Sequence, residues 1–126
     1  LNLVANQRLI RSFDPLLRQS THGRAIFLSA TVARVATPYW GAYAASKSGL
    51  EMMIKVYAKE TEKTNLKVNI VDPGITKTSL RASAFPGEDA SKLKSPERLV
   101  PLFLNLCSAE NQAHGQLIKY DEYDQH

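Results

Sequence analysis

Short apolar, β-branched runs recur along this chain with a helix-forming stretch between each pair, and that alternation restricts the fold more than any other feature. The strand candidates are "RAIFLSA" (24–30), "LKVNIV" (66–71) and "GQLIKYDEY" (115–123). Residues 2–19 show helical apolar spacing, 42–63 are rich in Ala, Met, Glu and Lys, and "SPERLVPLFLNLCS" (95–108) opens with a Ser cap and a Pro at the first helical position. Pro15 is expected to kink the first helix or split off its last turn. The strands lie too far apart in sequence for hairpins, so the order helix, strand, helix, strand, helix, strand predicts parallel βαβ units with right-handed crossovers. "RAIFLSA" is expected to be a buried strand, and Asp72-Pro73-Gly74 to stop the second strand sharply. Residues 75–95 are expected to form a long loop.

With 126 residues, 44% hydrophobic and 22% charged, the chain suits one domain with a real core. The net charge of +4 comes from scattered residues such as Arg8, Arg18, Lys55 and Lys92, which suits solvated helix faces and argues against a nucleic-acid partner. Cys107 is the one cysteine, which excludes an internal disulfide, disfavours a Cys-based metal site and suits a reducing cytoplasm. His22, His114 and His126 lack metal-ligand spacing, so no metal is expected. The longest apolar run, near "LVPLFLNL", is too short to cross a bilayer, and no secretory leader is expected. The chain opens at "LNLVANQRLIRSF" already in helical register and without a Met, which suggests part of something longer.

"WGAYAASKSGLEMM" (40–53) places Tyr43 and Lys47 four residues apart at the start of the second helix, on one face. A phenol ordinarily loses its proton near pH 10, and a neighbouring ammonium favours the phenolate, so the two could work as an acid/base pair near neutrality. Taken alone, the spacing better suits an amphipathic helix with Tyr at its buried end and a snorkelling Lys.

The pattern "YAASK" is similar to the Tyr-x-x-x-Lys signature of the short-chain dehydrogenases/reductases, and other segments match that family in order. "GRAIFLSA" resembles the strand before its active-site serine, "NIVDPGITKTSL" its strand and Pro-Gly loop, "LNLVANQRLIR" the helix bearing its active-site Asn, and "GQLIKYD" its last strand. The resemblance covers essentially the whole chain. It implies an α/β fold, a Rossmann-like parallel sheet with flanking helices, over residues 1–126 as an incomplete, C-terminal catalytic half. It implies hydride transfer between a nicotinamide (NAD or NADP, not distinguishable from these residues) and an alcohol/ketone substrate. Tyr43 is then the acid/base, Lys47 its electrostatic partner and ribose anchor, and Asn2 the holder of a relay water. Pro73 and Gly74 lie beneath the nicotinamide, with Thr78 near its carboxamide or phosphate. Without that context Pro73-Gly74 is an ordinary strand-ending turn, and Asn2 an N-cap. Tyr39 and Trp40 either line the substrate pocket or simply pack. The helices at 2–20 and 42–63 correspond to the family's dimer interface, which implies a homo-oligomer.

The chain departs from the pattern twice. The family serine, thirteen residues before the Tyr, falls on Ala30; hydroxyls stand on either side, at Ser29 and Thr31, and adjacent strand residues face opposite ways. Ser29 is the candidate replacement. The Gly-x-x-x-Gly-x-Gly turn that cradles the pyrophosphate does not occur in the sequence, nor does a residue placed to choose between NAD and NADP. The chain by itself is therefore expected to be incompetent, and two alternatives stand beside the enzyme: a truncated, non-catalytic remnant, or a binding or oligomerisation module without turnover.

Overall fold

In a computed structural model, the structure describes residues 2–74, 86–87 and 95–120, with Asn2 described in its backbone alone. Its elements are α1 (Asn2–Gln19), β1 (Arg24–Leu28), α2 (Gly41–Glu60), β2 (Lys67–Asp72), α3 (Val100–Cys107) and β3 (Leu117–Lys119), with single 3-10 turns at Thr31–Ala33 and Pro96–Leu99. The strands form a parallel sheet in the order β1-β2-β3, with Ala25 opposite Val68, Phe27 opposite Ile70, and Val71 opposite Ile118. Helix–strand alternation therefore gives the α/β arrangement that the sequence predicts.

Strand parity decides what each face of the sheet buries. Val68 and Ile70, with the partly buried Ala25 and Phe27, meet Leu50, Ile54, Tyr57 and Ala58 of α2, and Ile10 and Leu17 of α1 close over that layer. Ile26, Val71 and Ile118 face the other way, against Leu102 and Leu106 of α3. Each fully buried Leu or Ile stabilises the fold by about 1.5–3 kcal/mol. β2 is covered on both faces and paired on both edges, so it is the most buried strand.

Two side chains complete the sheet where backbone pairing stops. The Arg24 guanidinium donates to the carbonyls of Gly23, Asn65, Ser108, Ala109 and Asn111, tying the start of β1 to the turns before β2 and after α3. His114 Nδ1 accepts from the Val68 amide at 3.1 Å while the other ring nitrogen lies 2.8 Å from the Ala58 carbonyl, so the imidazole continues the β2–β3 ladder one step beyond its last strand pair and fastens it to α2.

Three expectations need correction. Pro15 does not split off the last turn of α1, which runs on to Gln19; the carbonyl its ring leaves without a donor, that of Arg11, belongs to a solvent-exposed residue. β1 is only partly buried, with Leu28 49% exposed, because no strand pairs with its outer edge among the described residues. Ser95 makes no side-chain cap bond, and the segment after it is a 3-10 turn followed by α3, with Pro101 accommodated in the opening turn of the helix. Of residues 75–95, only 86, 87 and 95 are described.

Candidate active site

α2 begins at Gly41, directly after Trp40, and Ala44 donates to the Trp40 carbonyl at 2.8 Å to close the first turn. Tyr43 therefore sits in that first turn, and Lys47 one turn further on. The Lys47 Nζ donates to the Leu28 carbonyl at 3.2 Å, which fixes this end of α2 at the C-terminal end of β1. The same Nζ lies over the Tyr43 ring, 5.8 Å from its centroid. Tyr43 is 36% exposed, its ring meets Trp40 edge-on at 5.6 Å, and its hydroxyl makes no hydrogen bond among the described residues. Partial burial lowers the pKa of Lys47 from the ordinary lysine value, since desolvation disfavours its charged form. Small residues follow Tyr43, and at Gly49 a Cβ would meet Leu3 of α1 at 3.4 Å. The first turn of α1 thus packs beside the turn of α2 that carries Lys47, which brings the Asn2 backbone to this end of the helix pair.

Ser29 lies just past β1, buried, and its hydroxyl donates to Glu51 Oε1 at 2.6 Å. Thr31, two residues on, donates to Asp72 Oδ2 at 3.0 Å. Ala30 stands between them. Both neighbouring hydroxyls are thus engaged with carboxylates.

Asp72 ends β2. Its other oxygen, Oδ1, accepts the Gly74 amide at 3.0 Å, folding Asp72-Pro73-Gly74 into a tight turn in which Gly74 has φ 70°, a conformation that favours glycine. Arg34 joins these parts. One arm of its guanidinium donates to Glu51 Oε1 and the other to Asp72 Oδ2. The side chains of Glu51 and Asp72 are 6% and 4% exposed, that of Arg34 24%. Ser48 adds a bond from α2 to the Ala33 carbonyl at 2.6 Å, holding the 31–34 turn against the helix. Tyr39 has φ 71° and is fully exposed, an unfavourable backbone for a bulky residue.

The structure thus brings Tyr43 and Lys47 together at the C-terminal end of the sheet, with the Pro73-Gly74 turn joined to their helix through Asp72, Arg34 and Glu51. Thr78 lies outside the described residues. Sequence reasoning passed over Arg34, Glu51 and Asp72. Glu51 was within reach: it is a charged residue among the buried Leu50, Ile54, Tyr57 and Ala58 of α2, where the helical pattern calls for apolar side chains. Arg34 sits in a loop with no periodicity, and Asp72 reads simply as a turn residue. Among the described residues no His, Cys, Asp and Glu cluster could hold a metal ion, and no helix is long and apolar enough to cross a membrane.

A family model described as short chain dehydrogenase matches residues 1–89 of the chain. The chain belongs to the short-chain dehydrogenase family. An uncharacterized oxidoreductase of Escherichia coli (strain K12), YciK, is 43% identical over 112 residues, 89% of this chain and 44% of its own length. An NADPH-dependent aldehyde reductase of Arabidopsis thaliana chloroplasts is 35% identical over 79 residues, 63% of this chain and 29% of its own. Among solved structures, a short-chain dehydrogenase from Shigella flexneri 2a strain 301, complexed with NADP, superposes with a TM-score of 0.89 at 40% identity, covering 95% of this chain and 50% of that one. This short-chain dehydrogenase chain thus spans at most about half the length of the relatives it matches.

Proposed function

We propose that the chain is the C-terminal catalytic half, over residues 1–126, of a nicotinamide-dependent oxidoreductase that interconverts an alcohol and a ketone or aldehyde. The placement of Lys47 against the Leu28 carbonyl and over the Tyr43 ring carries the reading, because it sets an ammonium beside a phenol at the end of the sheet where ligands of such folds bind. The residues present fit the nicotinamide-ribose end of the cofactor. Gly74 has a left-handed backbone that leaves room for close approach, and Lys47 supplies a donor for ribose hydroxyls. Bound there, the dinucleotide would supply or accept the hydride. NADP is favoured over NAD because the Shigella relative was solved with NADP and the Arabidopsis relative is NADPH-dependent.

In this reading Tyr43 gives a proton to the substrate oxygen during reduction and takes it back during oxidation, while the Lys47 ammonium holds the phenolate. Asn2, at the start of α1, holds a relay water. Pro73 and Gly74 are assigned the floor of the site, and Thr78 a cofactor-binding role. We assign Ser29 a structural part, because its hydroxyl is committed to Glu51, and infer that Tyr43 alone supplies the hydrogen bond to the substrate oxygen that a second donor shares in the family. Losing one such donor typically costs about 10²–10³ in rate.

Homo-oligomerisation through helices 2–20 and 42–63 is supported by Val4, Leu9, Phe13 and Leu16 on α1 and Met52 and Val56 on α2, all exposed. A second copy is the occupant these matching helices suit. The cytoplasm is the compartment we assign.

A chain without the pyrophosphate-cradling turn is expected to bind NADPH weakly and to show no turnover alone. The test is to supply the N-terminal half of Escherichia coli YciK in trans or as a fusion. NADPH binding is followed by fluorescence, and oxidation of NADPH by an aldehyde panel at 340 nm. Binding with turnover, and loss of turnover but not of binding in Tyr43→Phe, supports the reading. Turnover unchanged in Tyr43→Phe overturns it. Binding without turnover selects the binding-module alternative, and a complex that neither binds nor turns over selects the remnant.

A further inference from the structure

We propose that Arg34 is the positioning residue of this site: its guanidinium, held between the carboxylates of Glu51 and Asp72, locks together the three segments that carry the candidate catalytic and cofactor-binding groups. The inference rests on the functional reading above, and deepens it. The first segment is the exit of β1, where Ser29 bonds Glu51 and Thr31 bonds Asp72. The second is α2, where Glu51 stands one turn beyond Lys47 and two beyond Tyr43, on the same face. The third is the exit of β2, where Asp72 holds the Gly74 amide. Glu51 and Asp72 each bind a hydroxyl of the first segment and one arm of Arg34, so no segment can shift without breaking a charged hydrogen bond.

The residue types follow from this task. Two buried carboxylates facing one another repel unless a cation lies between them. A planar guanidinium can serve both at once, whereas the single ammonium of a lysine cannot reproduce that fork. A buried ion triad is also a weak device for stability, since well-packed neutral side chains of similar size often do as well or better. What it supplies that they do not is a fixed geometry. Here that geometry sets where Lys47 lies against Leu28 and how the Pro73-Gly74 turn sits relative to Tyr43.

The experiment uses the 126-residue chain as it is, together with Arg34→Lys and the neutral triple variant Arg34→Met/Glu51→Gln/Asp72→Asn. NMR reads three local signals: amide exchange at Gly74, cross-relaxation between the Lys47 side chain and the Tyr43 ring, and the midpoint of the Lys47 ammonium titration. Thermal midpoints report overall folding. The triple variant is expected to fold with a midpoint near that of the parent. In it, exchange at Gly74 speeds up at least about tenfold, the Lys47–Tyr43 signal weakens, and Lys47 titrates nearer the ordinary lysine value. Arg34→Lys is expected to restore none of the three. Folded variants with all three signals unchanged would overturn the proposal.

Should the variants not fold, the parent chain still decides. An Arg34 clamped by two carboxylates shows separate, slowly exchanging Nη proton signals, and one averaged signal would refute the clamp. None of these readouts needs cofactor, so absence of NADPH binding in the complemented protein would count against the oxidoreductase reading and leave the clamp measurements standing.

Discussion

Tyr57 donates to Asp14 Oδ1 at 2.6 Å, and Asp14 also pairs with Arg18 on the same helix at 2.8 Å. Burial, and then the Asp14 carboxylate, push the Tyr57 phenol well above its ordinary value of 10.0. The unfolded chain therefore loses this proton first, so the stabilisation present below about pH 10 fades as the pH rises beyond it. For Asp14, burial raises the pKa, but the bonds from Tyr57 and Arg18 together outweigh it and hold the carboxyl below 3.8, so its contribution is present above that pH and is lost on acidification. Tyr57→Phe is expected to lower stability near neutrality and to flatten both the alkaline and the acid fall, as read from urea midpoints between about pH 3 and about pH 11. At this scale the sequence was half legible. Tyr43 and Lys47 stand four apart, and the i, i+4 geometry of a helix guarantees that such residues share a face. Whether Ser29 or Ala30 turns toward the substrate depends on where β1 stops relative to Glu51, a partner twenty-two positions on. Nothing local encodes that.

Between elements, charged and aromatic ring nitrogens act where the ladders run out. Arg24 serves five carbonyls from three separate turns, so Arg24→Ala should strip partners from part-buried groups and cost roughly 2–3 kcal/mol, measurable as a lower urea midpoint with an unchanged slope. Lysine at this position should recover little, since its ammonium cannot spread to five acceptors. The alternation of elements was readable because β-branched runs and Ala/Glu/Lys-rich runs have different preferences. The burial of β1 was not, because an apolar run looks the same whether a neighbour covers its outer edge or not. The broken start of α3 was hidden as well: Ser95 and Pro96 satisfy the local rule for a helix start, yet the chain first makes a 3-10 turn.

For the molecule as a whole, the family relationship accounts for the recognisable fold. The fold class followed from element order alone, since parallel strands need crossovers and crossovers need helices. The clamp of Arg34, Glu51 and Asp72 could not follow from it, because its members come from a loop, a helix and a strand end that only the folded chain assembles. β1 has an open outer edge among the described residues. A parallel strand with one side unpaired among the described residues, carrying Ala25, Ile26 and Phe27, is a template on which another chain can add. Concentrated solutions of this chain are therefore expected to build cross-β assemblies over time. Thioflavin fluorescence should rise with concentration, and Ile26→Lys should delay it by seating a charge in the seam. Storage life on the bench would then be governed by an uncovered ribbon of backbone at the rim of the sheet.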